Sequence, residues 1–300
     1  MKVKKILWAT DGSRESNSAL RYAVFLAHKF QAEILAVYVS EIQFPITSLY
    51  PISEEYILSI AETSEKKFEK KFKRLSKKLS QNGIAFSHIF VRGKVCDGII
   101  KTAQKTNCDL IVMGKHGLGF FERSILGSNT AKVLRNSPVP VLSVKGKGRK
   151  EVSQISKILV PVDISDKSGS AVLSSLQYAK AFNAEVTFLY VFWLNEKVYD
   201  LPPKLLKKLI QKSKYKLNSI ANSAKDEWMK LKNNSDIDIR TEVINGINPG
   251  HAISWYAKKM KFDMMIMNTH SRTGIKRLIL GSEAEKIIRQ TSCPVLVEKP

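Results

Sequence analysis

The chain has 300 residues, 44% of them hydrophobic, and a formal net charge of +22 from 49 Lys+Arg against 27 Asp+Glu. This is a folded globular composition, long enough for one large domain or two of common size. It contains no apolar run near the ~18–20 residues of a membrane span, and no apolar stretch with a cleavage site that would mark a signal peptide.

The first strand is expected over residues 5–10 (Lys-Ile-Leu-Trp-Ala-Thr) and ends at Asp11-Gly12-Ser13. Asp and Ser are good helix caps, and residues 16–29 follow with apolar positions at Leu20, Ala23, Val24 and Ala27, the helical period. A mostly apolar strand is expected over 33–39, as in a sheet covered on both sides. A loop with Pro45 and Pro51 leads to a long helix over 53–81, whose stripe is Ile57, Ile60, Ala61, Phe68, Phe72, Leu75 and Leu79. Asn82-Gly83 stops it. A strand over 85–91, a turn at Gly93, a helix over 97–106 and a strand over 110–113 complete the run.

Residues 113–142 then organise the rest: MGKHGLGFFERSILGSNTAKVLRNSPVPVL. Glycines directly after a strand permit positive φ and close approach of a ligand to the backbone. Gly127-Ser128 opens a helix, whose first N–H groups and dipole favour an anion. The pattern is an anion cradle, most simply for the phosphates of a nucleotide. In a parallel sheet with helices on both faces, ligands sit beyond the carboxyl ends of the strands; Asp11 and Gly114 both follow strands and so share that edge.

The pattern then repeats. Residues 145–156 lack apolar periodicity and read as a linker, and residues 157–163 restate residues 5–11. A strand over 185–192, a lysine-rich helix over 202–233 and a strand over 263–267 follow in register. Asp11 and Asp163 are 152 residues apart, whereas His116 and His270, Gly127 and Gly281, and Pro140 and Pro294 are each 154 apart. The expected organisation is two tandem domains, 1–145 and 157–300, with 146–156 between them.

These residues resemble the universal stress protein family, whose nucleotide-binding branch carries G-x2-G-x9-G-(S/T). Gly114, Gly117, Gly127 and Ser128 match that spacing, and the likeness covers both halves. The resemblance implies an α/β fold: two flavodoxin-like, adenine-nucleotide alpha hydrolase-like domains, each a five-stranded parallel sheet of order 3-2-1-4-5 with helices on both faces. It implies ATP, with Mg2+ or Mn2+, in the first half. Adenine and ribose would lie near Ala9, Thr10, Asp11 and Val39; the phosphates would lie near Gly114, Gly117, Gly127, Ser128, Asn129 and Thr130. Met113 would be a further cofactor-binding residue. It also implies that the last strands, residues 139–144 and 295–297, pair edge to edge as a pseudo-dimer within the chain. Homodimerisation of the whole chain stays open.

The second half departs where phosphate would sit. Asn268 and Ser271 replace the first two glycines, and Glu283 stands in the first helical turn where Asn129 stands in the first half. A carboxylate there satisfies the helix dipole itself and repels phosphate, so weak or absent nucleotide binding is expected. Asp163 is expected to be a cap, His116 and His270 to make loop hydrogen bonds or phosphate contacts, and Trp8, Trp193, Trp228 and Trp255 to lie in the core. Cys96, Cys108 and Cys293 are few, odd in number and without metal-ligand spacing; the expected compartment is the cytoplasm. Arg272, Lys276 and Arg277 could serve an anion or be surface charge.

No Walker G-x4-G-K-(S/T) is present, and no base to activate water is evident; beside its backbone donors the cradle offers Lys115 or His116. The expected function is an ATP-binding stress-response regulator with slow or no hydrolysis. Two alternatives stay open: a nucleotide-using enzyme of the same fold, and a scaffold whose basic helices dock an acidic protein or nucleic acid.

Overall fold

The computed structural model describes residues 3–41, 54–117, 126–146, 151–164, 169–230, 237–268 and 281–299. The loop with Pro45 and Pro51, the end of the second lysine-rich helix beyond Lys230, and His270, Ser271, Arg272, Lys276 and Arg277 lie outside the described residues.

The first half runs β1 (Lys5–Ala9), α1 (Arg14–Phe30), β2 (Glu33–Ser40), α2 (Glu54–Gln81), β3 (Phe86–Arg92), α3 (Val95–Lys105), β4 (Leu110–Gly114), α4 (Ser128–Asn136) and β5 (Val141–Val144). The second runs β6 (Lys157–Pro161), α5 (Gly169–Phe182), β7 (Glu185–Trp193), α6 (Glu196–Tyr199), α7 (Pro203–Lys230), β8 (Ile239–Gly246), α8 (Pro249–Lys259), β9 (Met264–Asn268), α9 (Ser282–Gln290) and β10 (Val295–Glu298). The one-turn α6 has no counterpart among the described residues of the first half. Asn195 starts it by accepting from the Val198 N–H.

Both halves have the expected order, 3-2-1-4-5, but they share one ten-stranded sheet: β3-β2-β1-β4-β5-β10-β9-β6-β7-β8. Within each half the pairings are parallel; at the junction β5 and β10 run antiparallel, with Leu296 opposite Leu142 and Val297 opposite Val141. That pairing covers two edges that would otherwise be exposed.

Strand alternation divides the interior into two layers. Trp8, Phe25, Phe72, Tyr178, Phe182, Leu217 and Trp228 belong to one, and Leu7, Val37, Ile99, Leu134, Val191, Ile253 and Ile287 to the other. Each layer continues through both halves. Phe25 and Phe30 of α1 meet Phe182 of α5 at ring-centroid distances of 5.7 and 5.9 Å. Asp109 and Asp263 repeat one device: each carboxylate accepts two successive backbone N–H groups at the start of a first strand, Lys4 and Lys5 or Ser156 and Lys157. Within the stretch expected to link the halves, Ile155 is buried.

Two of the four tryptophans differ from expectation. Trp8 and Trp228 are core, but Trp193 is 51% and Trp255 50% exposed. Trp193 is the last residue of β7, and its indole N–H donates to the Ile247 carbonyl at 2.9 Å. Trp255 lies on the outer side of α8, with the Lys259 ammonium 4.5 Å from its ring centroid. An apolar residue type at a strand end or on a two-sided helix does not by itself fix burial. All three cysteines are buried.

Candidate functional site

The chain leaves β1 into α1 on one face of the sheet and leaves β4 into α4 on the other. The carboxyl ends of these neighbouring strands therefore open a crevice, the usual ligand position in such sheets. A cavity of about 380 Å³ lies there, within the range of small-molecule sites. Ala9, Thr10, Asp11, Val39, Met113, Gly114, Gly117, Gly127, Ser128, Asn129 and Thr130 all line it, so the structure brings together every residue expected to contact the nucleotide in the first half. Val37, Glu41, Val95 and Ile99 join them from β2, its following residue and α3; these were missed, although a hydrophobic alternation through β2 pointed inward at Val37 as well as Val39.

The cavity has two chemically different ends. Ala9, Val37, Val39, Val95, Ile99 and Met113 make one end apolar. The other is the start of α4, where Gly127 is the N-cap, with φ −57° and ψ 136°, no side-chain cap bond and no acidic residue in the first turn. The first amide groups of such a helix have no partner within it. The Thr130 hydroxyl does not face a ligand: it donates to the Gly114 carbonyl at 3.0 Å, tying α4 to the end of β4.

The signature glycines are required for a different reason from the one expected. None of Gly114, Gly117 and Gly127 has a left-handed φ; Gly12 does, at +81°. A Cβ on Gly114 would stand 2.9 Å from the Glu15 and Ser16 backbone, and one on Gly117 would stand 2.7 Å from Asp11 Oδ2. At Gly127 it would approach the Lys115 carbonyl to 3.2 Å. The protein's own backbone and Asp11 fill the space that side chains would need.

Asp11 is not the cap of α1. Ser13 is, accepting from the Ser16 N–H at 3.1 Å, while Asp11 Oδ1 accepts from the Ser13 N–H at 2.9 Å. The other carboxylate oxygen is the one aimed at Gly117. From α2, Lys71 donates to Asn17 Oδ1 at 2.9 Å; burial pulls its pKa down, and the nearby negative charge of Asp11 opposes that shift.

Lys115 and His116 are both committed to protein partners. Glu15 Oε2 accepts from the His116 backbone N–H at 2.6 Å and lies 2.9 Å from its Nδ1. A carboxylate accepts only, so that ring nitrogen carries the proton. Lys115, 2% exposed, sends its ammonium away from the cavity to the Thr291 carbonyl, 3.0 Å away in the second half. A hydrogen bond at His116 was expected, but its partner Glu15 had no sequence signal beyond a place in the first turn of α1, and the contact of Lys115 with Thr291 was not anticipated.

In the second half, Gly281 caps α9 with nearly the dihedrals of Gly127, φ −60° and ψ 151°. Here, however, Glu283 and Glu285 occupy the first turn. Glu283 reaches across to α8, where Oε2 accepts the Gly250 N–H at 3.2 Å, and Oε1 pairs with Lys286 at 2.6 Å. Among the described residues of the chain, no group of three or more His, Cys, Asp or Glu could hold a metal ion, and no helix is long and apolar enough to cross a membrane.

Residues 2–145 and 154–299 each match the universal stress protein family. The chain belongs to that family. Among its relatives, a universal stress protein of Methanocaldococcus jannaschii is 35% identical over 150 residues, covering 48% of this chain and 81% of its own length. A universal stress protein of Synechocystis is 27% identical over 312 residues, covering 98% of this chain and 99% of its own, so the tandem arrangement occurs in that relative too. The crystal structure of a universal stress protein from Archaeoglobus fulgidus superposes with a TM-score of 0.68 over 100% of this chain and 99% of that one, at 23% identity, and shares its fold.

Proposed function

We propose that this universal stress protein is a cytoplasmic stress-response regulator whose first half binds ATP and whose second half does not. The observation that carries the reading is the uncapped, acid-free start of α4, opening onto a cavity whose far end is apolar and whose middle holds Asp11. Adenine suits the apolar end between β2 and α3. A carboxylate at the end of β1 accepts hydrogen bonds from ribose hydroxyls, and the amides of Ser128, Asn129 and Thr130 donate to phosphate oxygens.

A divalent ion fits this site only as a passenger. Ser128, Asn129 and Thr130 at the start of α4 offer hydroxyl, amide and backbone groups, Asp11 is the carboxylate beside Gly117, and Mg2+ commonly keeps its waters and is held through substrate phosphates. Mg2+ or Mn2+ would supply charge neutralisation between phosphates. The chain itself holds the nucleotide and excludes water from its adenine.

Lys115 and His116 are both engaged by protein partners, and among the described residues no other lining group is an evident base for water or an evident cation for the γ-phosphate. Turnover is therefore expected below about 1 s⁻¹, the low end of ordinary enzymes. Equilibrium titration with a fluorescent ATP analogue tests the reading. One site per chain is expected; two equal sites, or none, would overturn it.

A further inference from the structure

The phosphate end of the cavity is held by the other half of the molecule. Lys115 lies between Gly114 and His116, which both line the cavity, and its three polar groups go to three places. Its N–H donates to the Val144 carbonyl at 2.8 Å, its carbonyl accepts the N–H of Gly127 at 3.1 Å, and its buried ammonium donates to Thr291 at 3.0 Å. One residue thus fastens β5, the N-cap of α4 and the C-cap of α9. A buried ammonium must stay hydrogen-bonded, so the position of Thr291 fixes that of Lys115, and Lys115 fixes Gly127.

The opposite end of α4 is held the same way. The Lys299 ammonium, beyond β10, donates to the Leu134 carbonyl at 2.6 Å, and Arg135 pairs with Glu285 of α9 at 3.3 Å. The clamp is not reciprocal. In the second half the sequence has Thr269, which bears no ammonium, 154 residues after Lys115, and the counterpart of Thr291 is Ser137, whose hydroxyl turns back to the Val139 carbonyl at 2.7 Å.

We propose that Lys115 is a positioning residue for the phosphate-binding start of α4, and that through it and Lys299 the second half sets the affinity of the first half for the phosphates of its nucleotide. The inference rests on the nucleotide reading above. Apart from Met113 of β4, the apolar end of the cavity is built by β1, β2 and α3, outside the clamp, so loosening the clamp separates ATP from adenosine. The second half is then an effector built into the chain: whatever shifts α9 or β10 shifts phosphate affinity and leaves adenosine affinity alone.

The test is calorimetric titration of the full-length protein with ATP and with adenosine. Lys115→Met is expected to weaken ATP by about tenfold, within the usual range of coupling between sites, with adenosine affinity unchanged and Lys115→Arg restoring most of the loss. The double variant Lys299→Met/Glu285→Ala, which leaves Lys115 in place, is expected to give a smaller loss of the same kind and carries the test if Lys115→Met does not fold. A parallel loss of ATP and adenosine affinity, or no change in either, would show that the clamp only packs the halves together and would overturn the inference alone. Wild-type protein that binds neither ligand would overturn the nucleotide reading and the inference with it.

Discussion

The starts of α4 and α9 have almost the same backbone and opposite chemistry. Each follows a glycine N-cap at the end of a loop from the fourth strand of its half. In α4 the first turn reads Ser-Asn-Thr and faces a cavity; in α9 it reads Ser-Glu-Ala, and the carboxylate of Glu283 is bonded to the Gly250 N–H at the start of α8. An anion attracted by a helix terminus can be a ligand or a side chain. The second half keeps the helix but places carboxylates in its first turn, one of them bonded to α8.

Asn129→Glu copies the second half into the first and has the largest expected effect. Juxtaposed like charges cost several kcal/mol, so ATP affinity should fall by about a hundredfold or more, measured by the same titration. Retained affinity would mean that the phosphates do not lie at α4.

Gly114→Ala comes next. Its methyl group would stand 2.9 Å from backbone atoms of Glu15 and Ser16, and overpacking of that kind costs about 1–3 kcal/mol. Asn268 already carries a side chain at the corresponding place, so Asn268→Ala should leave stability almost unchanged. Equal shifts of the two variants in chemical denaturation would sink the distinction between the two loops.

The smallest effects concern the ends of β5 and β10, Val144-Lys145 against Glu298-Lys299. Burial raises the pKa of the Glu298 carboxyl, so the folded chain keeps a proton that the unfolded chain loses. Its stabilising contribution is complete below the ordinary carboxylate value and is lost as pH rises through the folded value. Glu298→Gln should therefore melt above wild type at pH 7, with the gap closing at pH 4. Burial lowers Lys299 to about 8, which has the opposite sign: stability rises with pH between about 8 and the ordinary lysine value, because the unfolded chain there binds more protons. Lys299→Met should remove that rise. Tyr22, pushed up to about 12 mainly by burial, loses stability above pH 10, so the lysine effect is best read from pH 8 to 10.

Much of this was legible locally. The strands are short apolar runs, α1 and α2 have clear periodicity, and the two copies align at offsets of 152 and 154 residues. The first-half candidate residues were legible because each lies at or just after the carboxyl end of a strand or near the start of α4, and strand order alone carries such positions to one edge. Exposure was less so. Ile60, on the apolar stripe of α2, is 52% exposed, and Trp193 and Trp255 are half exposed, because periodicity marks a helix face or a strand but not how far the neighbouring layer extends over it.

The sequence by itself determined a duplicated α/β chain with one intact and one altered cradle, since residue type, spacing and charge are local properties. Only the tertiary structure decided what the cradle's residues touch. Gly114 is small because α1 lies against it, Gly117 because Asp11 does, and Lys115 faces Thr291 rather than a phosphate. Each partner is about a hundred residues or more away in sequence, and which atoms meet depends on how β1, β4 and β10 are stacked in one sheet. Close packing leaves no room for a second arrangement there.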